Sequence, residues 1–476
     1  MNRNPKTRRW LKSSVALTAL TAGLLASNHA SAEVVIAKGE TWDAYISGRV
    51  GAFASYAFGE GRPLPKLAGS TIEPGGGVDN DDPTNDTIYE YDAAGMPLPK
   101  QGKLRKLRVR SGYYPNILTL GAHKTFGPNL KLTAQVSLWG TIEPDFAKGS
   151  LPPNPQRANG GRENSVQADF REGFMRAEGT WGEVNGGRFM GLFGRGLTEI
   201  DALYGHGYGV GFPMLRRSYS VPVTGDLRYQ GPTGGMTGFG VLGATYAAGV
   251  TYDTPSVSGV KLSLGIFDPA TYIGAGYGRT STPRGEAELS YKLQRDGLLV
   301  RLFGSGGFQS LPVRSSSESI WGASAGGRFE FGPVHVGLGG FLGRAPGINY
   351  AFDDNPALAS STSTRVVPDG AGGMIMEMSH DLRNTRGFVG MVQVVLGPVD
   401  INAGAGQTVV LQADSDKANA AKVSTLKSQT AVTAAVVYHM NESFHLDLDF
   451  INGAYKWYNG ESESLNMLNG GVTVTF

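Results

Sequence analysis

A chain of 476 residues with 70 glycines and 18% charged residues can build two or three ordinary domains or one large barrel. Its 43 basic and 41 acidic residues give a nominal +2, but five of the basic ones fall in the first 32 residues. The remaining residues hold 38 basic against 41 acidic, a net charge near −3, so the balance does not point to nucleic acid. The absence of cysteine excludes a disulfide-stapled fold. No later stretch offers the roughly 18 consecutive apolar residues of a spanning helix.

The chain opens with Arg3, Lys6, Arg8, Arg9 and Lys12, then the apolar run "VALTALTAGLLA" (Val15 to Ala26), then "ASA" (Ala30 to Ala32). A basic start, a short apolar run and a small-residue cleavage site describe an export signal over 1–32, with the mature chain beginning at Glu33. The run is too short to anchor a membrane. "TRRWLK" resembles a twin-arginine signal, but Lys12 occupies the position expected to be apolar, which favours export of an unfolded chain.

From Thr41 the pattern has period two. "TWDAYISGRV" places Trp42, Ala44, Ile46, Gly48 and Val50 on one face and Asp43, Tyr45, Ser47 and Arg49 on the other. "KLTAQVSLWGTI" sets Leu132, Ala134, Val136 and Leu138 against Lys131, Thr133, Gln135 and Ser137. "GEAELSYKLQ" sets Ala287, Leu289, Tyr291 and Leu293 against Glu286, Glu288, Ser290, Lys292 and Gln294. In chain order the strands are predicted at 41–58, 104–125, 131–143, 166–181, 184–194, 240–254, 258–268 and 284–294. Eight more are predicted at 297–308, 319–331, 334–344, 385–396, 399–411, 426–439, 443–456 and 466–476.

The connections alternate between long and short. Short ones carry turn residues: "FGPN" at Phe126 to Asn129, "RDG" at Arg295 to Gly297, "FGP" at Phe331 to Pro333, "LGP" at Leu396 to Pro398, and "HMNES" at His439 to Ser443. Long ones, such as 59–103, 144–165, 195–239 and 345–384, are irregular and polar. Short turns at one rim and long loops at the other describe a closed meander, here an all-β, 16-stranded antiparallel transmembrane β-barrel forming one domain over 33–476. Closure satisfies the whole backbone in lipid. Sixteen strands enclose water, so the apolar faces meet hydrocarbon and the polar faces line a lumen. Trp42, Tyr45, Phe58, Trp139, Trp181, Tyr455, Trp457 and Tyr458 near strand ends are expected to form interfacial girdles.

Four patches resemble the trimeric general-diffusion porins of Gram-negative outer membranes. They are "ILTLGAHKTFGPNLKLTAQ", "REGFMRAEGTWGEV" (Arg171 to Val184), "VTYDTPSVSGVKLSLG" (Val250 to Gly265), and the end from "QTAVTAAVVYHMNESFHLDLDF" to "GGVTVTF". The resemblance implies a homotrimer of water-filled barrels in outer-membrane lipid and lipopolysaccharide, passing small polar solutes, with no enzyme activity and no cofactor. It also implies a third outer loop, here 195–239, folded inward, with Glu199 and Asp201 facing a basic wall across the pore. The wall candidates are Arg49 and Arg171, with Arg108 and Arg110 beside them, their face left open by Pro115. The family's "PEFGG"-type motif is replaced by "GFPMLRR", and Asn116 or Ile117 stands where a second-strand wall arginine is expected. Arg216 and Arg217 put positive charge on the loop itself, which leaves anion or cation preference open.

The first long loop carries "DNDDPTND", where Asp79, Asp81, Asp82 and Asp86 supply hard oxygen ligands of the kind Ca²⁺ takes. An EF-hand's glycine and distal glutamate are absent, so a hydrated loop is the favoured reading. His123, His206, His335, His380, His439 and His445 show no H-E-x-x-H spacing, and no phosphate-loop motif is present. "GHGYGVG" at Gly205 to Gly211 follows no strand-to-helix turn. A rim hydrolase built on His206, Asp201 and a loop serine is the rival from another class, and a sugar-type specific channel is a second. Finally, "GVTVTF" ends the chain in mid-alternation. Val472, Val474 and Phe476 are placed on the lipid face and Thr473 and Thr475 in the lumen. The terminal aromatic resembles the family's signal to the outer-membrane assembly machinery.

Overall fold

The computed structural model describes residues 33–39, 42–61, 89–91, 97–99, 102–112, 116–127, 129–141, 167–202, 235–270, 282–313, 316–352, 358–368, 374–418, 426–458, 460 and 462–476. The chain opens with β1 (Val34–Lys38) and β2 (Asp43–Gly61), and β3 (Tyr89–Tyr91) and β4 (Pro97–Pro99) form a small separate sheet. Next come β5 (Gly102–Arg110), β6 (Asn116–Phe126), β7 (Leu130–Thr141), β8 (Gln167–Gly179), β9 (Gly182–Met190) and the single-turn helix α1 (Arg195–Ile200). Six strands come after it: β10 (Tyr246–Asp253), β11 (Val260–Phe267), β12 (Arg284–Arg295), β13 (Leu298–Val313), β14 (Ser316–Phe331) and β15 (Val334–Arg344). Among the described residues, β16 (Leu358–Pro368) and β17 (Met374–Leu382) pair only with each other. The chain finishes with β18 (Asn384–Leu396), β19 (Val399–Leu411), α2 (Asp414–Ala418), β20 (Leu426–His439), β21 (Phe444–Trp457) and β22 (Ser462–Thr475).

Every wall pairing is antiparallel, and the wall closes on β2. One edge of β2 pairs with β22, from Arg49 opposite Thr475 to Glu60 opposite Ser464. Its other edge pairs first with β6 and then with β5. β5 and β6 are therefore one wall strand, interrupted where Gly112 takes a φ of 95 that favours glycine. Counted this way the barrel has sixteen wall positions, one for each predicted segment, with 104–125 broken in its middle. β13 and β14 stay in register as far as Val313 opposite Ser316, so their outer connection is short.

The two faces alternate as period two requires. On β21 Leu448 is 56% exposed toward the outside, while its neighbours Asp447 and Asp449 are 7% and 3% exposed on the inside. Val50, Leu118, Leu120, Val432, Val436 and Val472 likewise form an outward apolar band, and Ser47, Thr119, Ser137, Asn402, Thr433 and Thr473 face inward. Such an outside is stable against hydrocarbon, so the barrel spans a membrane. Tyr45, Trp139 and Tyr455 depart from the expected girdle. They share the inward parity of Ser47, Ser137 and Asp449 and are buried in the lumen.

At the seam, Phe476 N donates to Gly48 O at 3.0 Å and Gly48 N donates to Phe476 O at 2.6 Å. The Phe476 ring lies across the outer face of Gly48, where a Cβ would stand 2.6 Å from Cζ. β1 carries the same seam onward, with Val34 opposite Ile46. Beyond the last residue of the chain, the start of the barrel thus continues the row that its end leaves off.

Candidate functional site

The connection after β9 enters the barrel. Gly194, at a φ of 86, turns the backbone into α1; a Cβ there would meet Leu242 O at 2.6 Å. The apolar side of α1, with Leu197 and Ile200 almost fully buried, lies on the inner wall of β13 to β15. That wall is glycine where the helix touches it. Ile200 covers Gly326, Gly337 and Gly339, Leu197 reaches Gly339, and Gly196 rests on the Phe303 ring. Inward positions that elsewhere carry polar side chains are empty here, which lets a helix approach the sheet backbone closely.

Two carboxylates of β12 hold the entry. Glu286 Oε2 accepts from Leu192 N at 2.6 Å and Phe193 N at 3.0 Å, and Glu286 Oε1 pairs with Arg284 at 2.7 Å. Glu288 pairs with Arg195 on the helix. Burial works against the charge of Arg195, and Glu288 outweighs it and keeps the guanidinium protonated. The exit is tied back as well: Asp201 Oδ2 accepts from Met236 N at 3.1 Å. Gly240 N donates to Thr408 Oγ1 at 3.0 Å, Gln429 donates to Gly238 O, and Phe239 packs on Tyr455 with ring centroids 5.9 Å apart. A segment after β15 joins this plug, with Gly243 N donating to Asn349 O and Ala351 N to Gly243 O, both at 2.8 Å. Phe193 packs on Phe352 at 5.2 Å. The inward segments therefore reach wall strands from β12 to β21.

Glu199 lies one turn after Arg195 and, unlike Leu197 and Ile200, is only half-buried. Burial and then the charge of Glu288 push its carboxyl up to about 7, against the opposing pull of Arg195, Arg301 and Arg328. Arg301 and Arg328 stand opposite one another across β13 and β14. Loop carboxylate and wall cations are thus in electrostatic reach.

Of the residues named from sequence, Arg49 lines the lumen and donates through Nη2 to Thr473 Oγ1 at 3.4 Å. Thr473 in turn donates to Asp447 Oδ2 at 3.3 Å. Arg171 sits at a bulge in β8 and lays its guanidinium on the inward ring of Trp139 at 4.6 Å and on Tyr246 at 5.7 Å. Asp201 is buried in the neck of the loop, tying its ends together, whereas Glu199 keeps a partly open position. Arg108 and Arg110 stand opposite Ser55 and Phe53 in the ladder, and their side chains lie outside the described residues. Asp79, Asp81, Asp82 and Asp86 lie outside them too, as does His206. Among the described residues no group of three or more acids and histidines is arranged to hold a metal. Sequence reasoning passes over Arg176, Arg195, Arg284, Arg301 and Arg328, and finds in Glu286 and Glu288 only a polar face. Alternation marks their side of the sheet but not what stands across from it.

No family model and no curated protein matches this chain. Among solved structures it is similar to the outer membrane channel DcaP of Acinetobacter baumannii. The TM-score is 0.57 and the identity 13%, covering 93% of this chain and all of that one. OmpT of Vibrio cholerae in its trimer form matches at 0.46 and 10%, covering 92% of this chain and all of that one. OmpF of Salmonella typhi, solved with daunomycin, matches at 0.45 and 10%, covering 93% and all of that chain. The first likeness shows a shared barrel fold.

Proposed function

We propose that the chain forms a water-filled diffusion channel for small hydrophilic solutes in the outer membrane of a Gram-negative bacterium. The observation that carries this reading is a closed sixteen-position barrel, apolar outside and polar inside, with α1 seated against its inner wall. In this reading Glu199 on the loop and Arg301, Arg328 and Arg49 on the wall set the field that solutes cross, and Arg171 acts from its aromatic stack. Arg108 and Arg110 belong to the same proposed wall. Asp201 then serves the constriction by closing the loop's neck. Residues 1–32 act as an export signal, a homotrimer is the working assembly, and Phe476 is the mark read by the assembly machinery. Lipopolysaccharide and lipid surround the barrel.

Reconstitution in planar bilayers tests the reading. A large current, linear in voltage and insensitive to added sugars, is expected; no current would refute it. A solute-specific channel is the second reading, favoured by the additional plug segment around Asn349. It predicts saturable block by one solute class.

A further inference from the structure

The outer face of the barrel carries a charged arc at its long-loop rim, turned away from the lumen. On one rung of the sheet, Leu342 on β15 stands opposite Arg386 on β18, and Arg386 opposite Val409 on β19. Val409 stands opposite Ser428 on β20, and Ser428 opposite Lys456 on β21. Arg386 and Lys456 share the outward parity of Phe388 and Phe450 and are exposed. The register slips between Leu426 and Ser428, which leaves Lys427 as an extra residue beside this rung, its Nζ 5.7 Å from the Tyr458 ring. Arg344, beyond Leu342 on β15, lies opposite Trp321 and pairs with Glu318 at 2.8 Å. Among the described residues no carboxylate pairs with Arg386, Lys427 or Lys456.

Height fixes what this row meets. Leu396 ends β18 at the short turn, and the run from Arg386 to it covers about 33 Å along the strand. At a strand tilt of about 40° that is about 25 Å across the membrane, the height of the hydrocarbon band. Leu396 therefore marks one edge of the band, and Arg386 stands at the other, among the headgroups of the outer leaflet. One rung nearer the membrane centre, Gln407 donates to Thr430 Oγ1 at 2.9 Å, beside the exposed ring of Phe388. On β10 to β13 the described rim carries Asp268 and no outward cation, and Arg188 on β9 donates to Arg171 O at 3.2 Å.

We propose that the arc from β18 to β21 is a docking surface for an outer-leaflet lipid whose headgroup is a disaccharide with a phosphate at each end. One phosphate rests on Arg386 and the other on Lys456 and Lys427. The proposal rests on the outer-membrane reading above. Arg386 and Lys456 are three interstrand steps apart, about 14 Å, a span that suits such a headgroup. Arginine and lysine supply charge-assisted hydrogen bonds to phosphate, and Phe388 and Val432 offer apolar surface to the acyl chains below.

Native mass spectrometry of the folded barrel, purified in detergent and mixed with a bisphosphorylated disaccharide glycolipid, tests the surface. Retention of the glycolipid is expected, and excess inorganic phosphate should not displace it, which separates a lipid site from a phosphate site. Arg386→Gln combined with Lys456→Gln should weaken retention about tenfold, and so should removal of the phosphates from the lipid. Lys124→Gln with Arg295→Gln, outward cations at the short-turn rim, should leave it unchanged. Undiminished retention by the Arg386 and Lys456 variant, displacement by inorganic phosphate, or equal retention of the dephosphorylated glycolipid overturns the proposal. The dephosphorylated lipid is tested on the unaltered barrel, so that arm decides even if the variant fails to fold. No current is measured, so a barrel that retains the glycolipid without conducting loses the channel reading and keeps the docking surface.

Discussion

The inner wall under α1 and the inner wall at the seam are built from the same alternating strands, yet one is covered by protein and the other faces the lumen. On β13 to β15 the inward positions run Gly326, Gly337 and Gly339, and Ile200 and Leu197 fill the space. On β21, β22 and β2 they run Asp447, Asp449, Thr473, Thr475, Ser47 and Arg49, with Arg49, Thr473 and Asp447 bonded in a chain across the strands. Outside, both stretches are apolar. Removing side chains from one face of a sheet makes a seat for a loop, and leaving polar ones in place keeps the wall wet.

Breaking the seam should have the largest effect. Deleting Phe476 removes two backbone bonds to Gly48 and the ring that covers it, and leaves an open edge in lipid. Loss of inserted barrel, with the chain degraded in the periplasm, is expected on fractionation; normal insertion would sever the link between terminus and assembly.

Breaking the covered wall comes next. Glu286→Ala frees Leu192 N and Phe193 N and leaves Arg284 buried without its carboxylate, a loss of about 3–5 kcal/mol for a pair this deep. Larger and noisier conductance should result as α1 leaves its seat, with the barrel still folded by circular dichroism.

Titration sharpens the contrast more gently. Glu199 has its carboxyl raised to about 7, so it is neutral below that pH and negative above it. Because its folded value lies above the ordinary one, protonation favours the docked helix, and docking weakens as pH rises through about 7. Cation preference should therefore rise between about pH 6 and 8 and stay flat over that range in Glu199→Gln, as reversal potentials would report.

The smallest change is expected at the wall arginines. Arg49→Gln should shift the reversal potential toward cations by more than Arg171→Gln, because Arg49 lies among lumen carboxylates and Arg171 is spread over two rings. Equal shifts would remove the distinction between them.

Much of the barrel is legible in the sequence. The alternation in "TWDAYISGRV" and "GVTVTF" gives faces that hold residue by residue, with Arg49, Thr473 and Thr475 inside and Val50, Val472 and Val474 outside. Turn chemistry marks the strand ends because glycine and proline act locally. The site is less legible because it depends on contacts between distant segments. Arg195 meets Glu288 and Glu286 meets Leu192, partners roughly ninety residues apart that no spacing rule connects. Tyr45, Trp139 and Tyr455 show the same limit, since an aromatic near a strand end serves a girdle or a lumen equally well until its parity is traced.

The absence of cysteine permits a direct test of the seated helix. Ile200→Cys combined with Gly339→Cys joins α1 to its wall, and single-channel conductance is then compared before and after reduction. With the helix natively seated, the bond forms spontaneously and the oxidised and reduced channels conduct equally, because the locked position is the resting one. A bond that forms only with a fall in conductance would contradict the seat, since the helix would then rest elsewhere in the open channel.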